Sequence, residues 1–424
     1  MTTFKTFTAI TNSRIDMQRK YFCAPKCREG LKYISPGKFD DFGEISKPLA
    51  IRTTYPGLAF DFNCGLRLQI PAGNWHVKIF DHDSEIICFD EDVSDVLLVS
   101  MEKFFVRWEF LLWLDGQLVF GHVFDPADWR VHFDYPPSGM GDRIALFMYM
   151  EEFRKKWRCK VSCTVEPYLR ELVKNYLPAI ECCPPPKDSY ATYFPAPGFH
   201  ECFTPEEMRK VPLKKFGQQI FGLQRAEKIF YRPTKPRVIA EPYVCIAAQA
   251  SATVKAWLNP DGWRDVIKYL KRRGYRVLCI DRDRETSDEF GTVKFPEGAE
   301  DFTGDLPLIE RVNLISYAEF FIGLSSGLSW LAWAADCPVV MISGFSPAWF
   351  EFDTPYRVIN RLVCFGCHND INFKWPNFAA CPNHKGTDRA YECSKKISAR
   401  QVIQTIEQLL EDKRTGRLAN ANFI

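Results

Sequence analysis

The sequence predicts an α/β protein with two Rossmann-like lobes, a β-rich N-terminal module and a C-terminal metal finger built on four cysteines. Three observations support this fold. Short apolar runs alternate with turn residues from residue 50 to residue 133, which is typical of antiparallel strands. After Pro136-Pro137, strands alternate with amphipathic helices, as in parallel sheets. Four cysteines then cluster near the end of the chain.

The N-terminal module is predicted to span residues 1–135. Its runs include LAFDF, HVKIF, DVLLV and FFVRWEFLLWL, separated at intervals of about ten residues by Gly, Asn, Asp and Pro. Asp115-Gly116 is predicted to form a tight hairpin turn. The module holds many aromatic residues and few convergent polar groups, which favours a structural or assembly role over a catalytic one.

The first Rossmann-like lobe, with its linker, is predicted at residues 136–235. Residues 142–157 read as an amphipathic helix, CKVSCTV as a strand and PYLRELVKNYL as a second helix. Residues 182–215 are rich in proline and predict a long irregular connection between the lobes.

The second lobe is predicted at residues 236–345, where the alternation is clearer. Strands YVCIAAQ, YRVLCID, FFIGL and PVVMIS alternate with helices over residues 260–273, 307–319 and 328–335. Residues 346–424 hold the finger and a last amphipathic helix, ISARQVIQTIEQLLED. Two such lobes predict a ligand-binding cleft between them.

Composition excludes several classes of protein. Lys and Arg number 55 against 53 Asp and Glu, so no strong basic field recruits nucleic acid or anionic lipid. The N-terminal residues lack the apolar core of a signal peptide, and no uncharged apolar run reaches 18 residues. The 16 cysteines are too sparse for a disulfide scaffold. We therefore expect a cytoplasmic protein with reduced thiols, no stable membrane insertion and no nucleic-acid partner.

The cysteine cluster predicts a structural metal site. A CxxC pair followed by two further thiols can close a tetrahedral site, and His368 or His384 could replace one ligand. Thiolates bind iron and zinc alike, so the sequence leaves the metal open. The alternative is four free buried thiols. The predicted ligands are Cys364, Cys367, Cys381 and Cys393.

A glycine-rich strand-to-helix junction, SGMGD, places Asp142 at the expected carboxyl edge of the first sheet. Glycines such as Gly141 permit the tight turn. Asp142 could act there as a general base. It could equally be a helix N-cap, since Asp is among the favoured caps, and the residues alone leave both readings open.

The second lobe carries a candidate anion site. Ser325-Ser326-Gly327 precedes a helix, and Lys255 follows the first strand, so helix amides and an ammonium group could hold a diphosphate. A simple cap and a surface lysine are the alternative. Asp281 closes a strand at the position that binds ribose hydroxyls in nucleotide-binding lobes. The D-x-D string at residues 281–283 is discounted as a metal motif because flanking arginines would oppose a cation.

The pieces SGMGDRIAL, SATVKAW and IGLSSGLSWLAWA, in this order, resemble the signature regions of the ADP-heptose glycosyltransferases, which have the GT-B fold. The cysteine finger and the aromatic β-rich module further resemble the autotransporter heptosyltransferases, which modify adhesin proteins. The resemblance covers about residues 50 to 410 and implies an inverting enzyme without a catalytic metal. It would transfer heptose from ADP-heptose to serines of an autotransporter adhesin passenger.

The resemblance also implies roles for individual residues. Asp142 matches the family's catalytic base in its M-G-D motif, and Lys255 matches its phosphate-binding lysine. The family's D-T-G-L-S-H loop falls on residues 325–330, where Ser325 replaces the acidic residue and Trp330 the histidine. A large, dodecamer-like homo-oligomer with one iron or zinc ion per subunit is implied as well. The alternatives are a lipopolysaccharide heptosyltransferase and a non-catalytic metal-finger scaffold that binds nucleic acid.

Overall fold

The computed structural model describes residues 18–24, 48–195, 204–373 and 380–418. Part of the predicted proline-rich connection, residues 196–203, lies outside the described residues, as do residues 374–379 of the predicted finger. The predictions made for the N-terminal residues 1–17 also lie outside them.

Strands dominate the described part of the chain before residue 135. Four of them form an antiparallel sheet in the order β6-β5-β8-β9, as the alternating pattern predicts. Asp115 and Gly116 form the turn between β8 and β9, both with positive φ (48° and 81°), which confirms the predicted tight turn. The strands are β1 (Gln18–Phe22), β2 (Ile51–Arg52), β3 (Ala59–Asn63), β4 (Arg67–Ile70), β5 (Trp75–Asp81), β6 (Ile87–Val93), β7 (Val96–Ser100), β8 (Trp108–Leu114), β9 (Gln117–Val123) and β10 (Arg130–Asp134).

The first lobe shares a sheet with several N-terminal strands. Its elements are α1 (Met140–Trp157), β11 (Lys160–Thr164), α2 (Arg170–Tyr176), β12 (Ile180–Cys182), β13 (Ala191–Tyr193) and α3 (Leu213–Phe221). The strand order is β1-β7-β4-β3-β13-β10-β11-β12, with β2 beside β3, and the five strands from β3 to β12 pair in parallel. Strand β10 precedes the predicted boundary at residue 135, yet it pairs with β11 and β13 of the first lobe. The sheet therefore continues across that boundary.

The second lobe is an open parallel sheet with the order β18-β15-β14-β19-β20-β21. An antiparallel hairpin, β16-β17, is inserted between β15 and β18. The elements are β14 (Tyr243–Ile246), α4 (Gly262–Arg272), β15 (Arg276–Cys279), β16 (Glu285–Asp288), β17 (Gly291–Lys294), β18 (Glu300–Asp301), α5 (Leu308–Ser316), β19 (Phe321–Leu324), α6 (Gly327–Ala334), β20 (Val339–Ile342), β21 (Arg357–Val358), α7 (Glu392–Lys395) and α8 (Ala399–Arg414).

Helices cover both faces of the second sheet, which explains its continuous apolar strands. Val244 and Ile246 of β14 face a core completed by α4 and α8, whereas Cys245 faces the core that includes α5 and α6. That second core continues into the first lobe through Trp330 and Trp333 of α6. No helix in the described ranges is both long and apolar enough to cross a bilayer.

Candidate active site

A cleft of about 560 Å³ lies where the carboxyl ends of strands from both lobes meet. The structure brings every residue of the predicted catalytic and donor-binding set to its lining. The first lobe supplies Gly141 and Asp142, and the second lobe supplies Lys255, Asp281, Ser325, Ser326 and Gly327. The clustering that the sequence predicted from separate motifs is therefore present in the fold.

Asp142 lies in the first turn of α1. The N-cap of this helix is Gly139, and no side chain caps the helix, so Asp142 is not the capping residue that one reading of the sequence proposed. Ser138 Oγ instead donates to Asp142 Oδ2 at 2.7 Å. The carboxylate is thereby oriented at the cleft wall, within reach of a bound molecule.

A buried ion pair anchors the segment that carries Asp142. Arg143 is fully buried and donates to the two carboxylate oxygens of Glu166 at 3.2 and 3.3 Å. Glu166 also accepts the Ser138 amide at 3.3 Å. Burial raises the pKa of Glu166, but hydrogen bonds from Arg143 and from backbone amides outweigh it, and the net pKa lies below the ordinary value. The chain of contacts from Arg143 to Ser138 was not anticipated from the sequence.

Two glycines let the lobes approach each other closely. A Cβ on Gly141 would lie 2.6 Å from Trp330 Cδ1, and one on Gly327 would lie 2.6 Å from Met140 Cε. Neither glycine has a positive φ, so the requirement is for space alone. Trp330, which stands where the resembling family has histidine, is 4% exposed and fills the space between α6 and α1.

Lys255 ends a short 3-10 turn, Thr253–Lys255, that follows β14. Asp288 at the end of β16 accepts both the amide and the hydroxyl of Thr253, at 2.7 and 2.8 Å. On the other side, Ser394 of α7 accepts the Leu258 amide at 2.8 Å and donates to the Ala256 carbonyl. The turn that presents the ammonium group is thus held from the hairpin and from the predicted finger.

Asp281 is buried, with 2% of the residue exposed. Its carboxylate accepts the backbone amides of Ala248 and Gln249 at 2.8 and 3.3 Å. Burial raises its pKa, while those hydrogen bonds and Arg311 oppose the shift. Asp281 therefore fixes the loop after β14 at the cleft wall, and a ribose contact by this side chain stays a prediction.

The start of α6 offers hydrogen-bond donors to the cleft. The Ser326 amide is already used, because it donates to the Leu324 carbonyl at 2.7 Å. The amides of Gly327 and Leu328 belong to the first turn, where a helix supplies no acceptor. Ser326 Oγ is buried without a hydrogen-bond partner among the described residues. The candidate donors at this end of the cleft are thus the buried Ser326 hydroxyl and the first helical amides.

Ser325 has a partner that sequence reasoning missed. Its hydroxyl donates to Glu351 Oε1, and Ser346 Oγ donates to Ser325 Oγ at 2.6 Å. Glu351 also binds Arg357 Nη1 through Oε2 at 2.8 Å. Glu351 lies in the loop between β20 and β21, outside every motif, so no sequence signal marked it.

His368 closes the cleft beside Lys255 and packs between Phe345 and Phe350, with ring centroids 5.3 and 4.7 Å away. Burial lowers its pKa to about 3, and the positive charges of Lys255 and Arg209 contribute to the same shift. A neutral imidazole thus lies at the wall of the cleft near neutral pH.

The predicted finger contains a compact group of metal-ligand atoms. Ligand atoms of Cys364, His384 and Glu392 all lie within 4.8 Å of one another. Among the described residues this group combines one predicted cysteine and one of the two alternative histidines with a carboxylate that was not predicted. Thiol, imidazole and carboxylate together suit a transition metal such as iron or zinc.

The other predicted ligands, Cys367, Cys381 and Cys393, are buried nearby. Burial raises the pKa of Cys367 and of Cys393 to about 12, and the charges of the neighbouring cysteines add to both shifts. The four thiols do not form a group with all ligand atoms within 4.8 Å of one another, so ligation by four cysteines is not seen among the described residues. A cation bound beside these cysteines would offset their mutual repulsion, so the residues fit a metal ion. The exact ligand set stays a prediction.

Two family models and several known proteins match this chain. The family described as glycosyltransferase family 9 (heptosyltransferase) matches residues 206–371, and the N-terminal domain of glycosyltransferase TibC matches residues 55–116. The autotransporter heptosyltransferase TibC of Escherichia coli O78:H11 is 42% identical over 361 residues, which cover 82% of this chain and 89% of TibC. The chain belongs to the autotransporter heptosyltransferase family.

Other members of the autotransporter heptosyltransferase family extend the comparison. The crystal structure of dodecameric, iron-containing TibC in complex with ADP-D-β-D-heptose superposes with a TM-score of 0.79 at 40% identity, covering 84% of this chain and 96% of that one. The inactive autotransporter heptosyltransferase BimC of Burkholderia thailandensis is 34% identical, covering 83% of this chain and 86% of BimC. Because one relative is inactive, we infer activity from the side chains that line the cleft.

Proposed function

We propose that this protein transfers heptose from ADP-heptose to serine hydroxyls of an autotransporter adhesin, with inversion at the anomeric carbon. One observation carries the proposal: a carboxylate from the first lobe and an ammonium group with helix amides from the second lobe line the same cleft. Family membership supports this reading, and so does the ADP-heptose complex of TibC.

The donor would bind mainly to the second lobe. Its diphosphate would accept hydrogen bonds from the Gly327 and Leu328 amides and from Ser326 Oγ, whose buried hydroxyl otherwise lacks a partner among the described residues. The positive end of α6 and the Lys255 ammonium would stabilise the negative charge of the diphosphate. That charge grows as ADP leaves, so the same groups would assist the reaction.

Asp142 would act as the general base. The acceptor serine enters the cleft from the side of the first lobe, and Asp142 takes its proton as the serine oxygen attacks the anomeric carbon. The C–O bond to the diphosphate breaks on the opposite face. Ser138, which donates to Asp142 Oδ2, leaves Oδ1 to receive the proton. No step of this mechanism requires a catalytic metal.

We further propose that the finger holds one structural iron or zinc ion per subunit. The relative TibC contains iron, and the thiols with His384 and Glu392 offer suitable ligands here. The ion would stabilise the segment whose Ser394 holds the Lys255 turn. A dodecamer-like assembly and a cytoplasmic location complete the proposal.

The test is Asp142→Asn, with the protein co-expressed with a serine-rich adhesin passenger. We expect heptose addition, measured by intact-mass spectrometry, to slow by about 10²- to 10⁴-fold because the base is lost. Affinity for ADP-heptose should persist. Asp265→Asn is the matched control, since Asp265 also lies in the first turn of a helix but away from the cleft.

Wild-type protein that adds no heptose to the adhesin would refute the protein-acceptor proposal. Heptose transfer to a lipopolysaccharide acceptor instead would establish the lipopolysaccharide alternative. If the Asp142→Asn variant is as active as wild type, Asp142 is not the general base.

A further inference from the structure

We propose that Glu351 binds hydroxyl groups of the transferred sugar, supplying from the loop between β20 and β21 the carboxylate that position 325 lacks. This inference rests on the proposed function, because it concerns the sugar part of the same donor. It assigns a specificity-determining role to a residue outside all three signature segments.

The placement of Glu351 supports this role. It lines the cleft together with Ser325, Gly327 and Asp142, so it belongs to the same cavity as the candidate diphosphate donors and the candidate base. Its side chain is only 4% exposed. A buried carboxylate is costly unless it is paired, and Arg357 supplies the opposite charge to Glu351.

The surrounding hydrogen bonds fix the carboxylate without exhausting it. Ser325 donates one hydrogen bond to Oε1, and Arg357 donates one to Oε2. An ionised carboxylate has about four acceptor sites, so acceptor capacity remains on both oxygens. Arg357 also donates to the Phe352 carbonyl at 3.2 Å, which fixes the guanidinium that compensates the charge.

The chemistry matches a polyhydroxylated sugar. Adjacent hydroxyls donate well to the two oxygens of one carboxylate, and charge-assisted hydrogen bonds of this kind are strong. The serine at position 325 supplies no carboxylate of its own. The serine hydroxyl instead reaches Glu351, so the carboxylate lies one hydrogen bond away from position 325.

A purely structural role is the competing explanation, since Glu351 and Arg357 also tie the loop after β20 to β21. The two roles differ in what they affect. A sugar contact changes the affinity for ADP-heptose and leaves the affinity for ADP alone unchanged. A structural role changes both affinities together or neither.

The experiment measures ADP and ADP-heptose binding by titration calorimetry for wild type and Glu351→Gln, with thermal melting as the folding control. We expect affinity for ADP-heptose to fall by about tenfold to a hundredfold, as for loss of a hydrogen bond to a charged group, and affinity for ADP to change by less than about threefold. Placing the carboxylate at the neighbouring position, in Ser325→Asp/Glu351→Gln, should restore most of the loss.

Because Glu351→Gln leaves Arg357 buried without a counterion, the variant could fail to fold. The double variant Glu351→Gln/Arg357→Met removes that charge and should show the same selective loss. Equal losses for ADP and ADP-heptose, or no loss, would overturn the proposal. If wild type binds ADP but not ADP-heptose, the proposed function fails instead, so the two failures are distinguishable.

Discussion

The contact between Gly141 and Trp330 predicts a strong effect of the smallest possible substitution, Gly141→Ala. The added Cβ would lie 2.6 Å from Trp330 Cδ1 and 3.1 Å from Nε1, against an ordinary contact of at least 3.4 Å. The indole must therefore move by about 0.8 Å. It is held by Phe352 and Trp333, with ring centroids 4.9 and 5.6 Å away, so the movement is resisted.

The expected cost follows from this geometry. Overpacking of a tight contact costs about 1–3 kcal/mol of folding free energy. The same movement would shift the first lobe against the start of α6, and a misplacement near 1 Å costs up to about a hundredfold in rate. We therefore expect Gly141→Ala to lower the free energy of unfolding by about 1–3 kcal/mol and kcat/KM by about tenfold to a hundredfold.

Urea denaturation and steady-state transfer kinetics measure the two effects. The control is a double-mutant cycle with Trp330→Ala, which removes the ring that the new methyl group meets. In that background the added penalty of Gly141→Ala should fall to within about 0.5 kcal/mol. An equal penalty in both backgrounds would show that the steric argument is wrong.

Two further predictions concern the cleft and its support. Lys255→Ala should weaken ADP binding by about tenfold to a hundredfold, because a charged hydrogen-bond donor is lost. The control Lys268→Ala, at an exposed position of α4, should leave ADP binding unchanged. If calorimetry shows unchanged ADP affinity for Lys255→Ala, Lys255 does not bind the diphosphate. Glu166→Gln should destabilise the protein at pH 7 by breaking its contact with Arg143. Because folding lowers the Glu166 pKa from its ordinary value of 4.5, this contribution is present above pH 4.5 and is lost as the pH falls through the lower folded-state pKa. The stability difference from wild type in denaturant titrations should therefore shrink below about pH 4, and a difference that grows with acidity would contradict it.

Much of the architecture could be predicted because each element depends on local pattern. The alternating runs around Asp115-Gly116 and the helical periodicity of α1 and α8 arise from burial of one face, which residue order alone reveals. The residues of the candidate diphosphate site and Asp142 could be named because they follow strands, and parallel strands bring their carboxyl ends to one edge.

Other contacts could not be predicted because they join segments distant in sequence. Glu351 meets Ser325 only after β20 and β21 pair in the sheet. Similarly, β3 and β13 lie more than a hundred residues apart, and their pairing joins the N-terminal strands to the first lobe. Nothing in the local pattern of either segment specifies its partner.

The sequence alone determined the α/β class, the hairpins, the candidate base Asp142 and the family resemblance, because propensity, periodicity and short motifs are local properties. Only the tertiary structure decided that Gly139 is the N-cap of α1, that Trp330 packs on Gly141, and that the carboxylate beside Ser325 comes from Glu351. The physical reason is that burial and charge compensation depend on which surfaces meet, and this is settled only when the two lobes are packed together.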